Sequence, residues 1–342
     1  MVKYHRVGNQ MQPGKSINAG TVRILSWVCL FFNVVVILFG TVVRASGSGA
    51  GCGDHWPLCG DHLIPTFQTI AKVIEFTHRC STGVDVLFVI LLFITTFIVF
   101  PSGHLARKGA SLVLLFTLSE AVVGAMLVLF KIVDQNTSVF RIVMEGFHLT
   151  NTLLLLASII LTALASEGMT IGDAASVPRR TTRQLVIAIL GTLLLTVSGG
   201  IAGLADSIYH TRSLKAGLRA DFLPSSPLMI HLRVLHPVIA TIMVTYLLFI
   251  AWQIMKTDSQ QPVKYWCRNI MVLCVVQYFT GILNLVILSP IWMQITHLLL
   301  ADLLWISLVF LTFIVYGKEA VSQEYVKFKP GSGKSTDTRE LA

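Results

Sequence analysis

The stretch Glu75-Phe76-Thr77-His78-Arg79 lies near the start of a long apolar run. A carboxylate and an imidazole three residues apart share one helix face, and here that face falls inside a segment apolar enough to cross a bilayer. Ionisable side chains are costly in lipid; where they occur they face the protein interior and mark function. Three other apolar runs carry a histidine at similar depth: His148, His236 and His297. Four membrane-embedded histidines need either a common kind of occupant or four separate partners.

Composition sets the class. The chain has 342 residues, 54% hydrophobic and 13% charged, with a mean hydropathy of +0.74. Several runs exceed the roughly 18–20 residues that span a bilayer, so the expected fold is an all-α polytopic membrane protein. The net charge of +9 sits in short loops, where it sets topology and implies no nucleic-acid partner. Residues 1–23 are polar and basic and lack a cleavage pattern, so the first span reads as a retained anchor. Eight spans are expected near 24–43, 71–100, 110–130, 142–165, 184–204, 228–253, 269–288 and 293–316, none visibly broken. Seventeen Lys and Arg fall on one side and six on the other, which places both termini in the cytoplasm. The expected division is a cytoplasmic segment 1–23, a first four-helix half 24–165, a cytoplasmic linker 166–183, a second half 184–316 and a disordered cytoplasmic tail 317–342.

With that orientation, spans two, four, six and eight all run inward. Their histidines stand about 7–13 Å below the outer surface at about 1.5 Å per residue. The halves also repeat. Glu145-Gly-Phe-His148 aligns with Gln294-Ile-Thr-His297, Glu120-x3-Gly124 with Gln277-x3-Gly281, and Gly40-Thr-Val-Val-Arg44-Ala-Ser46 loosely with residues 199–205. A four-span repeat has an even number of crossings, so its copies are parallel, related by an axis along the membrane normal. The fold class is therefore two pseudo-symmetric four-helix bundles, each with a histidine pair in its core: His78 with His148, and His236 with His297.

Pairwise axial ligation of heme iron suits one histidine per helix, whereas zinc wants three or four ligands converging on one point. The alternative, interhelical hydrogen bonding by each histidine, does not account for their matched depth. His231 precedes His236 by five residues and points elsewhere on the helix; His236 fits the repeat better. Aligning His78 with His236 sets Arg233 opposite Glu75, so only the first half has a carboxylate one turn before its ligand. That asymmetry suggests a reaction site in the first half, unless Glu75 simply pairs with Arg79 or Lys72. The first outer loop, Arg44 to Cys59, is rich in glycine. It faces an oxidising compartment, where Cys52 and Cys59 can form a disulfide; a zinc site with His55 and His62, or free thiols, are the alternatives.

Together, Gly40-Thr-Val-Val-Arg44-Ala-Ser46-Gly-Ser48-Gly, Cys52…Trp56-Pro57-Leu58-Cys59, Glu75-x2-His78-Arg79, His148-x2-Asn151, His236-Pro237 and His297 resemble the heme A synthase family across about residues 24–316. The resemblance implies an oxidoreductase that converts the C8 methyl of heme O to the formyl of heme A by successive hydroxylations, with oxygen from water and an external electron acceptor. It implies that His78 and His148 hold the substrate heme and that His236 and His297 hold heme b. Glu75 becomes the catalytic carboxylate and Cys52–Cys59 a functional disulfide, with Arg44, Arg79, Asn151 and His231 as supporting candidates. The implied partners are heme O, a quinone or membrane redox acceptor, a heme O synthase and the lipid bilayer. The implied location is the cytoplasmic membrane of a prokaryote, or the mitochondrial inner membrane in a eukaryote. Two departures stand out: residues 205–227 lack the second cysteine pair of some members, and span six reads His231-Leu-Arg-Val-Leu-His236-Pro237. The rival readings are a b-type cytochrome that only passes electrons, and a transporter. The charge bias makes a direct prediction: a reporter fused after Ala342 reads as cytoplasmic, and one inserted in the Gly-rich loop before Cys52 reads as external.

Overall fold

The computed structural model describes residues 17–60, 65–66, 68–172 and 177–319. Helices dominate: α1 Ala19–Ala45, α2 Ile70–Val99, α3 Leu105–Leu129, α4 Val139–Ser166, α5 Arg179–Ile208, α6 Leu214–Asp221, α7 Leu228–Arg233, α8 Leu235–Thr257, α9 Gln261–Val286 and α10 Ile291–Tyr316. Among the described residues, eight helical segments are long and apolar enough to cross a membrane, with α7 and α8 together making one. The chain is a multi-pass membrane protein.

Most helices extend beyond the apolar runs because their first turns are polar. Asn18, Thr69 and Ser138 each accept a backbone N–H from the first turn of α1, α2 and α4, satisfying donors that a helix start leaves open. α3 begins five residues earlier than hydropathy suggests, capped by His104; Arg107 and Lys108 are good helix formers that a hydropathy criterion excludes. Span six runs from Leu228 to Thr257 but is not one unbroken helix. It divides at Val234 into α7 and α8. Pro237 lacks the N–H that would reach the Arg233 carbonyl, so the ladder fails there.

α1 packs on α2, α2 on α3, α3 on α4 and α4 back on α1; α5, α8, α9 and α10 make a second closed series of neighbours. α4 is the hub. Its central window is 67% buried against 11% for α9, and it also touches α5 and α10. Leu153, Leu155, Leu156, Ile159 and Ile160 of α4 meet Val22, Cys29 and Leu30 of α1, Leu92 of α2, and Trp305 and Val309 of α10. Trp305 Nε1 donates to the Leu153 carbonyl at 2.8 Å, so the indole's polar edge is matched where no water reaches it. Phe310 stacks between Trp27 and Trp266, with centroids at 5.7 and 4.5 Å.

The tail expected to be disordered from residue 317 starts instead with a strand. β1 (Met169–Ile171) pairs antiparallel with β2 (Gly317–Glu319), Met169 opposite Glu319. Residues 320–342 and 1–16 lie outside the described residues. Leu156, fully buried at the centre of α4, tests the hub: Leu156→Ala is expected to cost about 2–5 kcal/mol, read as a lowered melting temperature in detergent.

Candidate functional site

The first outer loop lies directly on the start of α2. A Cβ at Gly51 would fall 2.5 Å from the Ala71 carbonyl carbon and oxygen, so only glycine lets the two backbones meet here. The contact brings the Cys52 N–H to Glu75 Oε2 at 2.7 Å. Cys52 and Cys59 form a disulfide, which removes the thiolates that a zinc site would need; His62 lies outside the described residues. Arg79 then ties the loop's far side. Its Nη1 donates to the carbonyls of His55 at 2.7 Å and Leu58 at 2.6 Å, and its Nη2 to Glu75 Oε1 at 2.5 Å. Glu75 is 3% exposed, and both its oxygens are engaged. Further out, Lys131 of the α3–α4 loop donates to Asp54 at 2.9 Å and holds its carboxyl below the usual carboxylate range.

One turn beyond Glu75, His78 packs edge-on against Phe39 of α1, with centroids at 5.7 Å. It lies beside Gly40, where a Cβ would be 3.5 Å from His78 Cε1. Its Nδ1 is buried with no hydrogen-bond partner among the described residues. His148 stands on α4, which packs against α1. The Nδ1 of His148 contacts Glu120 Oε2 of α3, while Thr152 donates to Glu120 Oε1 at 2.8 Å. Asn151 does not face this site. Its amide donates to the Phe116 carbonyl at 2.9 Å, fixing α4 against α3.

The second half places His236 and His297 with ring centroids 6.3 Å apart and planes at 87°. Ser198 of α5 lies 3.1 Å from His236 Nδ1. Gln277 of α9 lies 3.3 Å from His297 Nε2 and donates to the His297 carbonyl at 3.0 Å. Glycines again make room: a Cβ at Gly199 would meet His236 Cε1 at 2.9 Å, and one at Gly281 would meet His297 Cε1 at 3.0 Å. His231 turns away, its Nδ1 3.1 Å from the Asp221 carbonyl of α6. Arg233 is held between Asp206, at 2.7 Å, and Asp221.

Arg44, at the end of α1, reaches across to the second half. It donates to Ser207 Oγ at 3.0 Å and Gln294 Oε1 at 3.1 Å. Sequence reasoning placed the histidines, Glu75 and the cysteines, but gave no role to Glu120 or Gln277. The signal was present: both are the first residue of the repeated x3-Gly motif in spans three and seven. It missed the buried Asp85, which accepts from Asn33 at 2.8 Å, and the buried Asp302.

The family model for COX15-CtaA, cytochrome oxidase assembly protein, matches residues 23–309. The chain belongs to this family. Among curated relatives, a heme A synthase of Listeria welshimeri is 26% identical over 301 residues, covering 85% of this chain and 93% of its own. One of Exiguobacterium sibiricum is 29% identical over 228 residues, covering 66% and 73%. A protoheme IX farnesyltransferase of Thermus thermophilus is 38% identical over 292 residues, or 84% of this chain but 47% of that protein. The chain thus spans about half the length of that relative.

The donor set suits an axially held heme: imidazoles one per helix, with glycines against the His78, His236 and His297 rings and a buried His78 nitrogen left without a partner among the described residues. Arg79 supplies most of the loop's ties to α2, which yields a test. In Arg79→Ala the Cys52–Cys59 disulfide is expected to be reduced several-fold faster by a mild thiol, followed by alkylation and mass measurement.

Proposed function

We propose that this chain is a heme A synthase. The observation that carries the reading is the position of Glu75: a buried carboxylate one turn before His78, roofed by the disulfide loop, in a chain of the COX15-CtaA family. The substrate heme O is held through its iron by His78 and His148, in a first bundle formed by residues 24–165. The second bundle, residues 184–316, holds heme b through His236 and His297. Bound heme b would supply one-electron chemistry to and from an external acceptor. The two bundles are parallel pseudo-repeats with both termini cytoplasmic, joined by the linker 166–183.

At the substrate, each hydroxylation of the C8 methyl takes an oxygen from water and releases two electrons and two protons; the resulting gem-diol loses water to leave the formyl group. With both oxygens already accepting hydrogen bonds, Glu75 is better placed to stabilise positive charge developing beside it than to abstract a proton. Arg79 and the Cys52 N–H hold it in that orientation. The Cys52–Cys59 disulfide lies close enough to this site to act as its brace or as a dithiol relay. The electrons leave to a quinone or another membrane redox partner. The lipophilic substrate arrives through the bilayer from a heme O synthase; the similarity to half of a longer farnesyltransferase supports such a neighbour. The location is the cytoplasmic membrane of a prokaryote.

Heme extraction and chromatography from cells that express the chain and make heme O test this reading. Heme A is expected with the intact chain, at a level reduced at least tenfold in Glu75→Gln and absent in His78→Ala. Heme b retained without any heme A would instead indicate a b-type cytochrome. Full turnover in Glu75→Gln would remove the role given to that carboxylate.

A further inference from the structure

The two bundles surround their fourth-helix histidines differently. In the first half, Glu120 of α3 contacts Nδ1 of His148. Its other oxygen is occupied by the Thr152 hydroxyl at 2.8 Å, and Asn151, tied to the Phe116 carbonyl at 2.9 Å, fixes the helix spacing one turn away. In the second half the aligned residue is Gln277. It presents its amide nitrogen to His297, 3.3 Å from Nε2 and 3.0 Å from the backbone carbonyl. At Nδ1, one imidazole faces a carboxylate and the other, among the described residues, only the neutral Thr280 hydroxyl, at 3.5 Å.

We infer that Glu120 is a positioning residue that orients His148 and sets the first-half heme iron apart electronically from the second. This rests on the assignment of His148 as an iron ligand. A carboxylate at Nδ1 fixes the proton there, leaving Nε2 for the metal, and it increases the electron donation of the ring. A more basic ligand favours ferric iron and lowers the reduction potential. The neutral Thr280 hydroxyl at His297 Nδ1 lacks this effect, and Gln277 lies on the Nε2 side. A heme held by His148 would thus be drawn to a lower potential than it would have without the carboxylate. Thr152 belongs to the same unit, since its hydroxyl donates to the carboxylate's other oxygen.

Redox titration of the purified, heme-loaded full-length protein, followed by optical absorbance, tests this. His78→Ala identifies which of two waves belongs to the first half. In Glu120→Gln that wave is expected to move to higher potential while the other stays. Glu120→Asp, which keeps the acceptor, should move its wave less than Glu120→Gln. A first wave unmoved in Glu120→Gln would overturn the inference. Should Glu120→Gln fail to accumulate, Thr152→Val decides: it is expected to shift the first wave in the same direction, and an unmoved wave would overturn the inference. Wild-type protein without heme, or with a spectrum unchanged in His148→Ala, would instead overturn the ligand assignment itself.

Discussion

Within a bilayer no water is available to complete a buried polar group, so every such group must find a partner on another helix or go unmatched. That constraint organises this protein. Asn33 bridges α1 to Asp85 of α2, Asn151 bridges α4 to α3, Trp305 bridges α10 to α4, and Arg44 bridges α1 to α5 and α10. Each bond joins two spans at one register. Apolar packing in lipid has little driving force of its own to choose among registers, so these few polar ties hold neighbouring spans in register.

The same constraint explains the architecture around Glu75. A carboxylate at that depth is tolerable because its neighbours come from three directions: Arg79 on its own helix, the Cys52 N–H from the loop, and Gly51 behind, which lets the loop approach. Arg79 serves the carboxylate and the loop carbonyls at once. The pairing with Arg79 is compatible with the structural reading and with the proposed catalytic one alike.

Much of this was legible in the sequence because the chemistry is sparse. In a chain with 13% charged residues, each intramembrane His or Glu stands out against Leu, Val and Ile, and three aligned segment pairs suggested a repeat. Helix ends were less legible, since polar first turns such as Arg179-Arg180 and Gln261-Pro262 look like loop. The strand pair at residues 169–171 and 317–319 left no trace, because three residues make no period. Glu120 was visible as a repeat position, but its role depends on which way α3 faces α4, and a span with little amphipathic asymmetry does not declare its facing.

Arg44 belongs to the first half by sequence and to the second by its hydrogen bonds, and Gly203 has no side chain so that the guanidinium can lie against it. The two halves are therefore not interchangeable modules. Ser207 and Gln294 receive a cation that the second half does not itself supply, and Gly203 leaves the space for it.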